Sequence, residues 1–252
     1  MIFTRARRCQ TPFCFALSSP MSAAQTLVSI VIPTLNEQMQ LERVLTCTRE
    51  DGVERIVVDG GSSDGTAETA HSLQAERVLL SSPGRALQMD VGYRAASGDV
   101  LMFLHADSWL EPGWLACLRT ALQDPRVAGG AFALRFASRR WVYRFLELGA
   151  WLRARLGGLP YGDQALFVRR ALLDAQGGIP LVPIFEDLDL ARLIRRNGRM
   201  ALLSARVRTS PRRYEARGAL RTWLRNTVAL AAYGLGLDRE RVARWYRRGP
   251  GR

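Results

Sequence analysis

Val57-Val58-Asp59-Gly60-Gly61-Ser62-Ser63-Asp64-Gly65-Thr66 passes from a β-branched run straight into glycines, small hydroxyls and two carboxylates, and then into a helical pattern. A loop of this kind between a strand and a helix can hold a nucleotide. Glycine lets the backbone approach a ligand closely, and the acid just after the strand, Asp59, can accept hydrogen bonds from a ribose or a base imide. A plainer reading is a turn that opens a helix with Asp64 as its cap, and the loop alone leaves both open.

Outward from this loop the first half alternates strands with helices. Apolar, β-branched runs at Val28–Ile32, Glu54–Val58, Val78–Leu80 and Val100–Leu104 predict strands. Glu37–Arg49, Gly65–Gln74 and Arg85–Ala96 have helical spacing and polar faces. Such alternation predicts an α/β fold with a parallel sheet, and such sheets bind ligands at the carboxyl ends of their strands. The residues there are Thr34, Asn36 and Glu37, then Asp59 to Thr66 with Ser62 and Asp64, then His105 and Asp107. In the second half Gly129–Phe136 and Gln164–Val168 read as strands. Trp141–Leu156, Asp187–Arg196, Arg217–Leu235 and Asp238–Arg248 read as helices.

The chain has 252 residues, 48% apolar and 23% charged, an ordinary globular balance. No apolar stretch reaches the ~18 residues of a spanning helix. All 36 residues counted as Lys plus Arg are Arg, which excludes a Walker lysine, a Schiff base and a pyridoxal linkage. The net charge of +13 is concentrated, because Arg192 to Arg252 holds 17 Arg against Glu215, Asp238 and Glu240. A near-neutral body with a basic end suggests an anionic partner, or else a solvated Arg-rich surface. Leu220, Trp223, Leu224 and Val228 fall on one helical face with Arg217, Arg221 and Arg225 nearby. Such a helix can lie on an anionic membrane as a peripheral contact, or Trp223 can simply pack on the core. Cys9, Cys14, Cys47 and Cys117 have neither zinc nor redox spacing, which fits a cytoplasmic protein. Residues 1–26 read as a disordered extension, with Met21 a plausible start.

Three further clusters carry chemistry. In His105-Ala106-Asp107 a strand-end Asp can hold a divalent cation that bridges two phosphates; a simple turn is the alternative. Phe185-Glu186-Asp187-Leu188-Asp189-Leu190 sets acids at a helix entrance, where they complement the helix dipole and where one can serve as a base toward a hydroxyl. Helical spacing puts Glu186 and Asp189 on one face and turns Asp187 about 100° from Glu186. Asp187 then takes the proton, and Glu186 orients acceptor or loop. Tyr161-Gly162-Asp163-Gln164 adds polar groups on the acceptor side.

SIVIPTLNE (Ser29–Glu37), VVDGGSSDGT (Val57–Thr66), the strand-end Asp107 and FEDLDLARLIRR (Phe185–Arg196) together resemble family 2 glycosyltransferases. SPGRALQMDVG (Ser82–Gly92), FLHAD (Phe103–Asp107), GLPYGDQALFVRR (Gly158–Arg170) and TSPRRYEARG (Thr209–Gly218) resemble the bacterial subgroup named for arsenosugar biosynthesis and for association with radical-SAM and selenoprotein-like domains. The resemblance implies a GT-A fold, Rossmann-like and mainly parallel, with a nucleotide-diphosphate sugar as donor and an unidentified acceptor. Pro33, Thr34, Asn36 and Glu37 then border the nucleoside, and Asp59 contacts base or ribose. Asp107 takes the metal role, for Mg²⁺ or Mn²⁺, with His105 standing where the family has the first Asp of D-x-D. Asp187 is the base, and Arg85 and Gln88 contact the donor.

On this reading residues 27–235 form the GT-A unit, with a nucleotide half at 27–125 and an acceptor half at 126–210, and residues 211–252 form Arg-rich helices. The reaction is inverting transfer to a hydroxyl. Two rivals are a nucleotidyltransferase, whose Gly- and Arg/Lys-rich phosphate loop is absent at Thr34–Glu37, and a non-catalytic basic module. No helix-turn-helix, zinc-finger or RNP signature supports nucleic acid as a partner.

Overall fold

A computed structural model describes residues 26–157 and 160–247; the expected extension over 1–26 lies almost wholly outside them. Four strands, β1 (Val28–Thr34), β2 (Val53–Asp59), β3 (Arg77–Leu80) and β4 (Val100–Phe103), run parallel. Helices α1 (Gln38–Cys47), α2 (Thr66–Ser72) and α3 (Arg85–Ala95) connect them. The chain continues through β5 (Ser108–Leu110), α4 (Trp114–Leu122), β6 (Val127–Phe136), α5 (Trp141–Leu152), β7 (Leu166–Arg169) and α6 (Arg170–Gln176). It ends with α7 (Glu186–Asn197), β8 (Arg199–Thr209), α8 (Arg212–Arg217), α9 (Ala219–Gly234) and α10 (Arg239–Arg247). One eight-stranded sheet results, in the order β3-β2-β1-β4-β7-β6-β8-β5.

The period-two pattern of β1 explains the layers. Val28, Ile30 and Ile32 join a core cluster with Leu41, Leu45, Trp114 and Leu118 of α1 and α4. Val31 faces the other way, into a cluster with Met89 and Tyr93 of α3 and Ile194 of α7. The sheet is therefore buried on both faces, as parallel strands require. It is mixed rather than wholly parallel, because β7 runs antiparallel to β4 and β6, and β5 antiparallel to β8. Strands β5 and β8 and helices α4 and α6 add to the expected elements. In β8 the inward set Ala201, Leu203, Val207 and Thr209 alternates with outward Leu202, Ser204, Arg206 and Arg208.

Strand order reverses between β1 and β4. Their pairing stops at Val31↔Phe103, while β1 continues beside β2 to Thr34↔Asp59. Pro33, which has no N–H to donate, falls where a β4 partner is no longer present. Such a reversal opens a crevice at the carboxyl ends, and the Arg-rich helices close its rim.

Candidate active site

Two loops are laced together at the carboxyl ends of β1 and β2. Asn36, in the left-handed region at φ 54°, which Asn tolerates, donates its backbone N–H to Ser62 Oγ at 2.8 Å and accepts from the Ser63 N–H at 2.9 Å. The Glu37 N–H donates to Thr66 Oγ1 at 3.1 Å. Buried Asp59 accepts from the Ser62 N–H at 2.9 Å and from the Ser62 hydroxyl. Asp64 accepts from the Thr66 hydroxyl at 2.5 Å, the Thr66 N–H and the Gln38 N–H. The Thr66 hydroxyl above all holds its carboxyl below the usual range. Asp64 thus orders the turn, and the N-cap of α2 is Gly65 in the left-handed region at φ 80°, not Asp64. Gln88 supports both loops from α3, since its Nε2 donates to the carbonyls of Thr34 and Val58 at 2.8 Å each.

Across the crevice the β4 end, the turn at Gly162–Gln164 and the start of α7 converge. Arg85 Nε lies 3.2 Å from Glu186 Oε1, and its guanidinium also donates to His105 Nε2. Burial, and then the charges of Arg85 and Arg213, push the His105 imidazole well below its ordinary value and keep it neutral. Its Nδ1 is 3.9 Å from Asp107 Oδ1. Asp187 accepts the Gly162 N–H at 2.7 Å on one oxygen and the Leu188 N–H at 2.8 Å on the other. Burial pushes Glu186 up despite Arg85. Burial also pushes Asp163 up to about 6, with Asp187 and Asp107 adding to the rise against the pull of Arg153 and Arg85. Among the described residues, Asp163 Oδ1 is buried with no hydrogen-bond partner. Tyr161, pushed up to about 12 by burial, lies under the Arg153 guanidinium, 3.5 Å from its ring centre.

The structure brings Arg85, His105, Asp107, Tyr161, Asp163, Glu186 and Asp187 into one polar centre. It directs Gln164 elsewhere: buried, it accepts from the Tyr161 N–H and donates to the Phe132 carbonyl, which fixes the turn. Asp189 is held by Arg239 at 2.5 Å and by the Tyr233 hydroxyl at 2.6 Å, so it clasps α7 to α9 and α10. Residues not singled out from the sequence complete the rim. Arg212 lies 2.6 Å from Glu37, and Arg213 spans from Glu37 at 3.1 Å to Asp107 at 3.3 Å. Both belong to the motif TSPRRYEARG, where nothing local in the sequence marks either as a contact to Glu37 or Asp107.

The Asp59 loop and the buried acid-base cluster lie at the reversal point of an open α/β sheet, where proteins of this architecture bind their ligands. The chain belongs to glycosyl transferase family 2, whose profile matches residues 29–168. It is 30% identical over 166 residues to the undecaprenyl-phosphate 4-deoxy-4-formamido-L-arabinose transferase of Pseudomonas aeruginosa, an alignment covering 59% of this chain and 49% of that one. The chain spans about half or less of the length of the first curated relatives it matches. Among solved structures, glucosyl-3-phosphoglycerate synthase from Mycobacterium tuberculosis with Mn²⁺ and UDP-glucose superposes with a TM-score of 0.56 at 23% identity, over 85% of this chain and 81% of that one. S. aureus TarS gives a TM-score of 0.58 at 16% identity, over 73% and 61%. These likenesses establish the GT-A glycosyltransferase fold.

Proposed function

We propose that the protein transfers a glycosyl group from a nucleotide-diphosphate sugar to an acceptor hydroxyl with inversion. The observation that supports this most is Arg213, which joins Glu37, laced to the Asp59 loop, to Asp107 in the centre that also holds Asp163 and Asp187. On this reading Asp187 takes the acceptor proton as the acceptor oxygen bonds to the anomeric carbon, and the bond from that carbon to the diphosphate oxygen breaks. Two backbone N–H donors fix the Asp187 carboxylate, so it enters the reaction already oriented. A specific observation favours a second base, because the raised Asp163 carboxyl, with Oδ1 unpartnered among the described residues, has the basicity suited to proton transfer near neutral pH.

Among the described residues no three His, Cys, Asp or Glu groups converge as a metal site. The carboxylate of Asp107 still fits a cation such as Mg²⁺ or Mn²⁺, which uses few protein ligands and completes its shell with water and phosphate oxygens, whereas the acceptor nitrogen of neutral His105 is engaged by Arg85. When bound, the cation supplies positive charge where the diphosphate leaves. Arg212 and Arg213 add fixed positive charge on the same rim.

Incubation with a panel of nucleotide sugars, scored for nucleoside-diphosphate release and for anomeric configuration by NMR, tests the proposal. Release of inorganic pyrophosphate instead would assign a nucleotidyltransferase. Turnover is expected to stop in chelator and return with Mn²⁺ or Mg²⁺. Full turnover in chelator would transfer the whole leaving-group role to the arginines.

A further inference from the structure

Helix α5 is apolar on two sides. Its inner side, with Tyr143 and Leu146, packs on Phe136. Its outer side carries Trp141, Phe145, Leu148 and Leu152, spaced along one stripe and all exposed, Trp141 to 80%. Core packing explains the first set and leaves the second without a partner in the fold. Helix α9 lies against α5 through Trp223, which turns inward to the Phe136–Tyr143–Leu146 cluster. Leu220, Leu224 and Val228 of α9 stay on its open side, Leu220 at 66% exposure. Two neighbouring helices thus each present an apolar stripe to solvent, the longer about 17 Å from Trp141 to Leu152 at helical rise.

The charges around this face are mostly positive, with exposed Glu215 of α8, which acts on the Tyr143 hydroxyl, an acid close to it. Between Ser138 and Leu156 the one acid is Glu147, which is buried and neutralised by Arg135 at 2.9 Å and Arg144 at 2.8 Å. Helix α9 contains no acid at all. Exposed Arg139, Arg140 and Arg155 flank the α5 stripe, and exposed Arg221 lies on α9. Tryptophan, phenylalanine and leucine bordered by arginine suit the boundary between acyl chains and anionic head groups. A second copy of the chain is disfavoured by the same charges, since face-to-face pairing would bring one arginine fringe against another. No described helix is long and apolar enough to cross a bilayer, so the contact is with a surface.

We propose that the outer faces of α5 and α9 dock the protein on an anionic lipid surface. Burial of the aromatic and aliphatic stripe supplies adhesion, and the arginines select negatively charged head groups. The face also meets the crevice: the turn that continues α5 carries Arg153 onto the Tyr161 ring. The protein would therefore sit on the membrane with its acceptor side near the lipid.

Co-sedimentation of the full chain with extruded vesicles tests this. Vesicles of equal parts phosphatidylglycerol and phosphatidylcholine are expected to pellet the protein at low salt, with partition at least about tenfold above that of pure phosphatidylcholine vesicles and falling as salt rises. Arg139→Gln, Arg140→Gln and Arg155→Gln should each lower partition roughly fivefold. Phe145→Glu with Leu148→Glu, and separately Leu224→Glu, should abolish it while leaving Tm unchanged, because all three side chains already face solvent. Equal pelleting with both vesicle types, or none with the anionic vesicles, overturns the proposal. A concentration-dependent dimer that Phe145→Glu dissolves also overturns it, in favour of a second copy.

Discussion

Glu54 and Asp163 are both carboxylates set into the ends of one sheet, and their surroundings differ in every respect that matters. Glu54 lies at the amino end, at the start of β2. It accepts from the Ser29 hydroxyl at 2.5 Å, the Ser97 N–H at 2.8 Å, the Ser97 hydroxyl at 3.0 Å and Arg77 Nε at 3.0 Å. Burial by itself would raise its carboxyl, yet these hydrogen bonds outweigh burial and hold it below the ordinary value. The backbone closes around it: a Cβ on Gly98 would lie 2.6 Å from Ser29 Oγ and 2.8 Å from the Leu27 carbonyl, so the chain can pass there only as glycine. Asp163 lies at the carboxyl end with one oxygen unpartnered and its proton held up to about 6. The amino end satisfies its charge and carries stability. At the carboxyl end one Asp163 oxygen is left unsatisfied among the described residues, a state that costs stability.

The largest effect expected from this contrast is catalytic. Asp187→Asn keeps the shape of the site and one of the two backbone contacts, since its amide has a single acceptor oxygen, and removes basicity. It should lower kcat on the order of a hundredfold or more, with donor affinity measured by calorimetry little changed. If Asp187→Asn turns over normally and Asp163→Asn does not, the base is Asp163.

The two carboxylates should also give opposite pH dependences of stability. Asp163 binds its proton more tightly folded than unfolded, so its contribution is greatest when protonated and falls as pH rises from about 4 to about 6. A shift from 3.8 to about 6 corresponds to about 3 kcal/mol. Glu54 has the other sign: its contribution is present above its unfolded value and is lost as pH falls through the lower folded one. In metal-free buffer, denaturation of Asp163→Asn across this range should gain on wild type as pH rises. Glu54→Gln should lose most above pH 5 and converge with wild type in acid. Parallel slopes for both variants would erase the distinction between the two ends.

Much of the first half was legible because its signals are local. The four parallel strands fall within a few residues of their expected bounds, and the Asp59 loop and the acids opening α7 sit at the ends that strand and helix periodicity gave them. Strand β8 escaped because its arginines, read as part of a basic end, hide the alternation of Ala201, Leu203, Val207 and Thr209. The role of Arg213 follows from that strand. Thr209 pairs with Ser108, and the Ser210 N–H donates to the Asp107 carbonyl at 2.9 Å, which brings Arg213 to the Asp107 carboxylate. Contacts this distant in sequence leave no local pattern. Gln88 was legible as a polar group on α3 near the crevice, but only the fold shows that its amide is committed to two strand-end carbonyls.

A smaller effect is expected on donor affinity. Asp59 is already held by Ser62 and backs a loop that faces the crevice, so it can present a fixed acceptor to a nucleoside. Asp59→Ala should cost roughly 1.5 to 3 kcal/mol of nucleoside-diphosphate binding, about ten- to a hundredfold in Kd. Calorimetry on a variant with near-native Tm reads this directly, and an unchanged Kd would remove Asp59 from the nucleotide contact.

Asp64 should give the smallest effect, although it belongs to the same loop. Its oxygens are taken by the Thr66 hydroxyl, the Thr66 N–H and the Gln38 N–H, groups that belong to the starts of α1 and α2. Its carboxylate therefore orders the loop that Asp59 uses. Asp64→Ala removes these loop hydrogen bonds, worth about 1 kcal/mol, and in a chain of this length that lowers Tm by roughly 2 to 4 °C. Asp64→Asn keeps an acceptor for the two Thr66 donors and should recover most of the loss. Donor affinity should change in neither variant by more than the loop's loosened order accounts for, about twofold. A tenfold weakening in Asp64→Asn at native Tm would place this carboxylate on the ligand and extend the reactive end of the sheet to the first turn of α2.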